Sequence, residues 1–337
     1  MPLVYLGRRE VEELLPMGEC IEVMAAIFGA LARGETLQPL RSVVRLESCP
    51  GFLGLMPGQI GVQSVACDQI AGIKVLSIFP GNRAVGRESH QGAVLLFETA
   101  SGCPLAYLDA SAVTAIRTAA VSGLATRLLA GEEAGDLAIL GAGTQARTHL
   151  EALAAVRPLR RVRVWSRKPE SARAFAAAES ARHGLPVEPA ASVRQAVEGA
   201  DLICTTTAAA EPILAGEWIA AGAHVNAVGA CFAAARELDT AAVVRARLFV
   251  DSRESAVNES GDFLIPRREG AIGDTHIQGE LGELVLGRVV GRRSPDEVTL
   301  FKSLGLAVED LAASHHVYRK ALARGSGIVL EPAERGA

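Results

Sequence analysis

The run Asp136-Leu-Ala-Ile-Leu-Gly141-Ala-Gly143-Thr144-Gln145-Ala146 has the residue types needed to hold a pyrophosphate. Gly141 permits a tight turn, Gly143 lets the backbone approach the anion with no Cβ in the way, and Ala146 allows a helix to pack closely on a strand. The helix N-terminus then turns its free N–H groups toward the phosphates. Such a turn is a weak signal alone, because glycine-rich turns also join strands to helices for purely structural reasons. Its flanks make it specific: 137–140 reads as a buried parallel strand, 144–156 has helical periodicity, and Arg161-Val-Arg-Val-Trp165 follows at βαβ spacing. Ser166, Arg167 and Lys168 come next, where an NAD site usually places an acid for the ribose 2′-hydroxyl. An acid would repel a 2′-phosphate whereas these residues attract one, so the pattern favours NADP(H), with NAD(H) as the alternative; a solvated loop is the structural explanation of the same residues.

Two cations stand in apolar surroundings. Lys74, in Ala-Gly-Ile-Lys74-Val-Leu-Ser-Ile, lies in a run apolar enough for an interior strand, and desolvation there would lower its pKa into the range of a general acid or base. The competing reading is that strand alternation turns it to solvent. Arg117, in Ala-Ile-Arg117-Thr-Ala-Ala, is costly in so apolar a helix unless it meets an anion, either a ligand carboxylate or a structural ion-pair partner. A snorkelling surface position would also explain it.

The elements that must position these groups divide in two. Residues 9–31 have helical spacing, and short extended runs follow at 40–46, 51–56, 70–78, 92–98 and 104–108, implying a strand-rich first part. A long Ala-rich helix over 110–129 connects to the second part. There, candidate strands at 137–140, 162–165, 187, 202–205, 224–228 and 248–250 alternate with helices, the pattern of a doubly wound parallel sheet. In such sheets ligands bind outside the carboxyl ends of the strands, so Thr205, Thr206, Val228 and Gly229 are expected beside Gly141 to Ala146. A strand-like 298–301 precedes a last helix over 305–323.

With 337 residues, 49% hydrophobic and 21% charged, the chain has a globular composition and enough length for two domains. A net charge of −4 with scattered Lys and Arg argues against nucleic-acid binding. No apolar run of membrane-spanning length and no leader pattern is present, so a cytoplasmic protein without membrane association is expected. The cysteines at 20, 49, 67, 103, 204 and 231 never form a C-x-x-C pair. Metal binding is therefore not signalled, and most are expected to be small buried hydrophobes.

Further stretches, Val225-Asn-Ala-Val-Gly-Ala with Arg236-Glu-Leu-Asp239, Glu280-Leu-Gly-Glu283 and Thr299-Leu-Phe-Lys-Ser303-Leu-Gly-Leu-Ala-Val-Glu-Asp310, join Gly72-Ile-Lys74-Val, Arg117-Thr-Ala-Ala and the glycine turn to carry a resemblance. The chain resembles the ornithine cyclodeaminase and mu-crystallin family over nearly its whole length. The resemblance implies an α/β fold: a strand-rich α+β N-terminal dimerisation and substrate domain (1–115, with 305–330 returning to it) and a Rossmann domain (116–304). It also implies a homodimer, and hydride exchange between a nicotinamide and the α-carbon of amino or imino acids. Lys74 would be the active-site lysine, and Arg117 and Arg41 would hold the substrate carboxylate, with Arg45 leaving the register of Arg41 open. Ser89 and His90 would approach the nicotinamide, His90 having a structural alternative, and Ser303 would lie beside the carboxamide. Glu280 and Glu283 read as capping or interface residues, and His315 and His316 as surface ones.

One departure bears on function. Where cyclodeaminases of this family carry an aspartate after Val-Gly, this chain has Cys231, and a thiol of ordinary pKa cannot replace a carboxylate as base. Reduction needs less: a bound imine, a proton donor and a hydride. The expectation is an NAD(P)H-dependent reductase of cyclic or linear ketimines such as Δ1-pyrroline-2-carboxylate, with the reverse amino-acid dehydrogenation possible. The alternatives are an ornithine or lysine cyclodeaminase with bound NAD, and a mu-crystallin-like NADPH-linked binding protein.

Overall fold

The computed structural model describes residues 3–61 and 69–330. In chain order the elements are β1 (Leu3–Leu6), α1 (Arg8–Leu14), α2 (Met17–Ala32), β2 (Thr36–Leu37), β3 (Ser42–Arg45), β4 (Phe52–Ile60), β5 (Ile70–Ile78), β6 (His90–Glu98), β7 (Pro104–Asp109) and α3 (Ala110–Leu129). The parallel part follows with β8 (Asp136–Leu140), α4 (Thr144–Val156), β9 (Arg161–Trp165), α5 (Pro169–His183), β10 (Val187–Pro189), α6 (Val193–Val197), β11 (Leu202–Thr205), β12 (His224–Ala227), α7 (Thr240–Arg245), β13 (Arg247–Val250), α8 (Arg253–Glu259), α9 (Gly261–Arg268), β14 (Ile277–Glu280), α10 (Leu281–Val285) and β15 (Thr299–Lys302). Helix α11 (Ala307–Arg324) and β16 (Ile328–Leu330) end the described chain. Two compact units result: Met1–Arg117 with Leu306–Ala337, and Thr118–Gly305.

The first unit is built on a sheet of order β16-β1-β7-β6-β5-β4-β2, with β3 pairing β4. Every pairing is antiparallel except β1 with β7. Strands β4 and β5 bury alternate residues, so only one face of each lies in the core. On β5 that inward set is Ile70, Gly72, Lys74 and Leu76, and α11 packs on this face against β4, β5 and β6. Gly72 makes the packing close: a Cβ there would stand 2.5 Å from the Leu95 carbonyl oxygen and 2.6 Å from Leu311 Cδ2.

The second unit is a sheet of order β10-β9-β8-β11-β12-β15-β13-β14 with all its pairings parallel. Strands β11, β12 and β15 are buried at every position, as expected for strands covered on both faces. The α/β class and the parallel sheet read from the sequence are thus borne out. Three details differ. The single helix read over 9–31 is two helices bent by 82°, because Pro16 cannot continue α1 and instead caps α2. The strand read at 298–301 is β15, and it stands out of chain order between β12 and β13, which local periodicity cannot reveal. Of the five described cysteines only Cys20 and Cys204 are buried; Cys49 is exposed in the turn after β3, and Cys103 and Cys231 are half-buried. Cys67 lies outside the described residues.

Candidate active site

Lys74 sits at the centre of the first unit's sheet, opposite Met56 on β4 and Val94 on β6, and is 2% exposed. Strand alternation therefore turns it inward. Its Nζ lies 2.6 Å from Asp310 Oδ2 and 3.4 Å from Thr114 Oγ1. Burial is the largest influence on its pKa. Asp310 opposes that effect, the positive charges of Arg117 and Arg41 reinforce it, and the ammonium is pushed down to about 8. The three cations singled out in the sequence thus act on one another within one unit.

Arg117 takes the ion-pair form. Its Nε donates to Asp310 Oδ1 at 2.8 Å and its Nη1 to Glu309 Oε2 at 2.5 Å, and all three side chains are buried. Desolvation, the largest single influence on both Arg117 and Asp310, opposes their charges. The pairing outweighs it, holding the guanidinium pKa above and the Asp310 carboxyl below their ordinary values. Two of the five guanidinium N–H donors are used in these bonds. Sequence reasoning missed Glu309 and Asp310. The available signal was Ala-Val-Glu309-Asp310-Leu-Ala-Ala, two adjacent acids among apolar residues, the mirror of Arg117 among alanines. Their place in the first turn of α11 also favours negative charge, and Glu309 Oε1 accepts the Leu306 N–H at 3.0 Å. Arg41, half-buried, immediately precedes β3, whereas Arg45 is exposed at its end.

In the second unit the candidate cofactor residues gather at the carboxyl end of the parallel sheet. Gly141 leaves β8 at φ +125°, a conformation L side chains rarely adopt, and its N–H bonds the Trp165 carbonyl at the end of β9 at 2.8 Å. A Cβ on Gly141 would stand 2.6 Å from Thr206 Oγ1, whereas a Cβ on Gly143 would meet nothing within 4 Å. Gly143 caps α4 without a side-chain hydrogen bond, so Thr144, Gln145 and Ala146 open the helix with backbone donors available, and Gln145 Oε1 is buried without a partner. This open, donor-rich turn fits a dinucleotide pyrophosphate. Ser166 is half-buried after β9, and Arg167 and Lys168 are exposed. Thr205 ends β11 and Thr206 follows it, Val228 and Gly229 follow β12, and Ser303, 2% exposed, follows β15 with its N–H on the Ala227 carbonyl at 3.0 Å.

Behind these loops is a buried polar group that sequence reasoning also missed. Glu237 accepts from Thr205, Thr207 and Gly229, and Asp262 pairs with Lys302 at 3.0 Å. Burial is the largest influence on Glu237 and raises its pKa. For Lys302 desolvation is again largest but is outweighed, chiefly by Asp262, so its pKa is raised.

Other candidates sort simply. Ser89 is buried and its Oγ lies 3.0 Å from Nδ1 of the exposed His90. Glu283 accepts the Glu280 N–H at 2.8 Å, completing a capping box at α10. His316 pairs with Glu19 at 3.0 Å and His315 stacks on Tyr318. Cys231 Sγ lies 3.5 Å from the Val228 carbonyl. No group of three metal-ligating side chains occurs among the described residues.

Comparison with known proteins follows the same lines. The model of the ornithine cyclodeaminase/mu-crystallin family matches residues 3–325. The chain is 41% identical to the ketimine reductase mu-crystallin of Mus musculus over 93% of its own length and 96% of that protein's. It is 35% identical to a delta(1)-pyrroline-2-carboxylate reductase of Bacillus cereus over 98% and 100%. Among solved structures, delta(1)-pyrroline-2-carboxylate reductase of Thermococcus litoralis, in complex with NADH and L-proline, superposes with a TM-score of 0.92 at 39% identity, covering 96% of this chain and 99% of that one.

Proposed function

Because the chain belongs to the ornithine cyclodeaminase/mu-crystallin family, we propose that it is an NAD(P)H-dependent reductase of ketimines and α-imino acids, with a Δ1-pyrroline-2-carboxylate-like imine as substrate. The observation that carries the reading is a buried lysine with its pKa pushed down to about 8, held by Asp310 in one cluster with Arg117. When bound, the nicotinamide supplies the hydride that reduces the imine carbon. The residues of this chain do the rest. Arg41 binds the substrate carboxylate together with those N–H donors of Arg117 that Asp310 and Glu309 leave unused, a guanidinium being the natural partner of a carboxylate. Lys74 Nζ gives a proton to the imine nitrogen and recovers one from solvent after the amine leaves, and a pKa near the working pH suits that exchange. Asp310 keeps Lys74 charged enough to donate, since burial and two neighbouring cations all push the other way.

The glycine turn at Gly141 to Ala146 holds the pyrophosphate, and Thr205, Thr206, Val228, Gly229 and Ser303 border the nicotinamide. The absence of an acid after β9, with Arg167 and Lys168 in its place, supports NADP(H) over NAD(H). A homodimer is part of the proposal; exposed Val43 and Val44 on β3 and Ile328, Val329 and Leu330 on β16 give the first unit apolar surface for it.

The test is oxidation of NADPH and of NADH by the purified protein with Δ1-pyrroline-2-carboxylate, followed by nicotinamide absorbance, with ornithine and ammonia release assayed in parallel. Imine-dependent oxidation that is faster with NADPH supports the proposal. Ammonia release from ornithine without net cofactor turnover would replace it with cyclodeamination, and binding of NADPH with no turnover of any imine would replace it with a binding function.

A further inference from the structure

Glu237 lies between β12 and α7 with no exposed surface, and its carboxylate gathers four donors. Oε1 accepts the Thr207 N–H at 2.7 Å and its hydroxyl at 2.6 Å; Oε2 accepts the Gly229 N–H and the Thr205 hydroxyl, each at 2.7 Å. Each carboxylate oxygen thus holds one backbone N–H from a different loop, one leaving β11 and the other leaving β12. An amide in this place would have to turn its NH2 group against one of those two N–H groups.

The loops are in contact through the carboxylate. A Cβ at Gly229 would stand 2.0 Å from the Thr207 carbonyl oxygen and 2.6 and 2.7 Å from the two Glu237 oxygens. The clamp is itself anchored. Asp262 Oδ1 accepts the Glu237 and Leu238 N–H groups at 2.9 and 3.0 Å, and Lys302 bridges from Asp262 to the Ala230 carbonyl, 2.5 Å away. The segment 230–237 is thereby tied down at both ends.

In a doubly wound sheet the first βαβ half takes the adenosine end of a dinucleotide and the second half takes the other end. Strands β11 and β12 belong to the second half. We propose that Glu237 is a positioning residue for the nicotinamide end of the cofactor, locking the β11 and β12 loops in their binding form before the cofactor arrives. This inference rests on the dinucleotide reading above. The donors that Glu237 holds come from the β11 and β12 loops and not from the glycine turn or the residues after β9, so its effect falls chiefly on one end of the ligand.

The experiment compares Glu237→Gln with the parent protein in binding NADPH and adenosine 2′,5′-bisphosphate, which carries only the adenosine end, by calorimetry. Leaving one buried backbone donor unpaired should weaken NADPH binding about tenfold or more, with the bisphosphate affinity changed less than about twofold. Equal losses for both ligands, or no loss for either, would overturn the proposal. A parent protein that binds neither NADPH nor NADH would remove the dinucleotide reading and this inference with it. Amide hydrogen exchange on the ligand-free parent protein provides a second measurement should Glu237→Gln fail to fold. Slow exchange at Thr207 and Gly229 supports a preformed clamp, and exchange at the rate of an open loop refutes it.

Discussion

Replacing Asp310 by Asn would remove the negative charge bonded to Lys74 while keeping the side chain's shape. With charge centres about 4 Å apart and an effective dielectric of about 20, the lost attraction is about 4 kcal/mol, or about 3 units of Lys74 pKa. Relaxation and water entry return part of this, leaving a fall of about 2 units, from about 8 in the parent protein to about 6 in the variant. The sign follows from the mechanism: reduction uses the protonated amine, so the rate declines as pH rises through the Lys74 pKa, and the variant's decline moves to lower pH. At about pH 7.5 the protonated fraction drops from roughly three quarters to roughly 3%, and kcat/KM for the imine falls about 25-fold on that account alone. The assay is the pH profile of kcat/KM with Δ1-pyrroline-2-carboxylate, run well below the variant's Tm, because breaking a buried ion-pair cluster costs about 3–5 kcal/mol of stability. Glu309→Gln is the control. Glu309 bonds Arg117 and not Lys74, so its profile should shift by less than about 1 unit. An Asp310→Asn profile that overlays the parent's, in a folded protein, would refute the assignment of Lys74 as the proton donor.

Lys74→Met should lower kcat for imine reduction by at least about 100-fold, the usual contribution of a positioned general acid, with NADPH affinity by calorimetry unchanged; retained turnover would remove Lys74 from the chemistry. Arg167→Ala with Lys168→Ala should raise the KM for NADPH about tenfold or more and leave that for NADH within about twofold, since only the former carries a 2′-phosphate; equal effects would argue against the phosphate assignment. His149 on α4 is buried, with Nδ1 2.7 Å from the Gln145 carbonyl and Nε2 2.9 Å from Ser122 Oγ, and burial pushes it down to about 4. The unfolded chain therefore binds the extra proton as pH falls below about 6.5, and this residue's share of stability declines by about 1.4 kcal/mol between pH 7.5 and 5.5. Urea denaturation at the two pH values should show that difference reduced by a similar amount in His149→Gln, and an undiminished difference would place the titration elsewhere.

Local order was written in the chain. The Gly141 to Ala146 turn, the helices 110–129 and 144–156 and the strand 70–78 coincide with their elements because each is set by short-range periodicity and by glycines at fixed offsets. Burial of Lys74 was legible from its apolar run, whereas the direction in which strand alternation turns it was settled only by the face that α11 covers. The partner of that lysine was not. Asp310 stands more than two hundred residues downstream and reaches Lys74 only because α11 packs on β5, which the missing side chain at Gly72 permits. Arg117 likewise announced an unmet charge but not which anion would meet it. In the second unit, the insertion of β15 between β12 and β13 brings Lys302 beside Asp262 and Ala230. Sequence patterns report which residues must be buried, since burial follows from composition along one element. Which charge meets which is decided by the order of strands and by the docking of α11, and these depend on contacts between segments far apart in the chain.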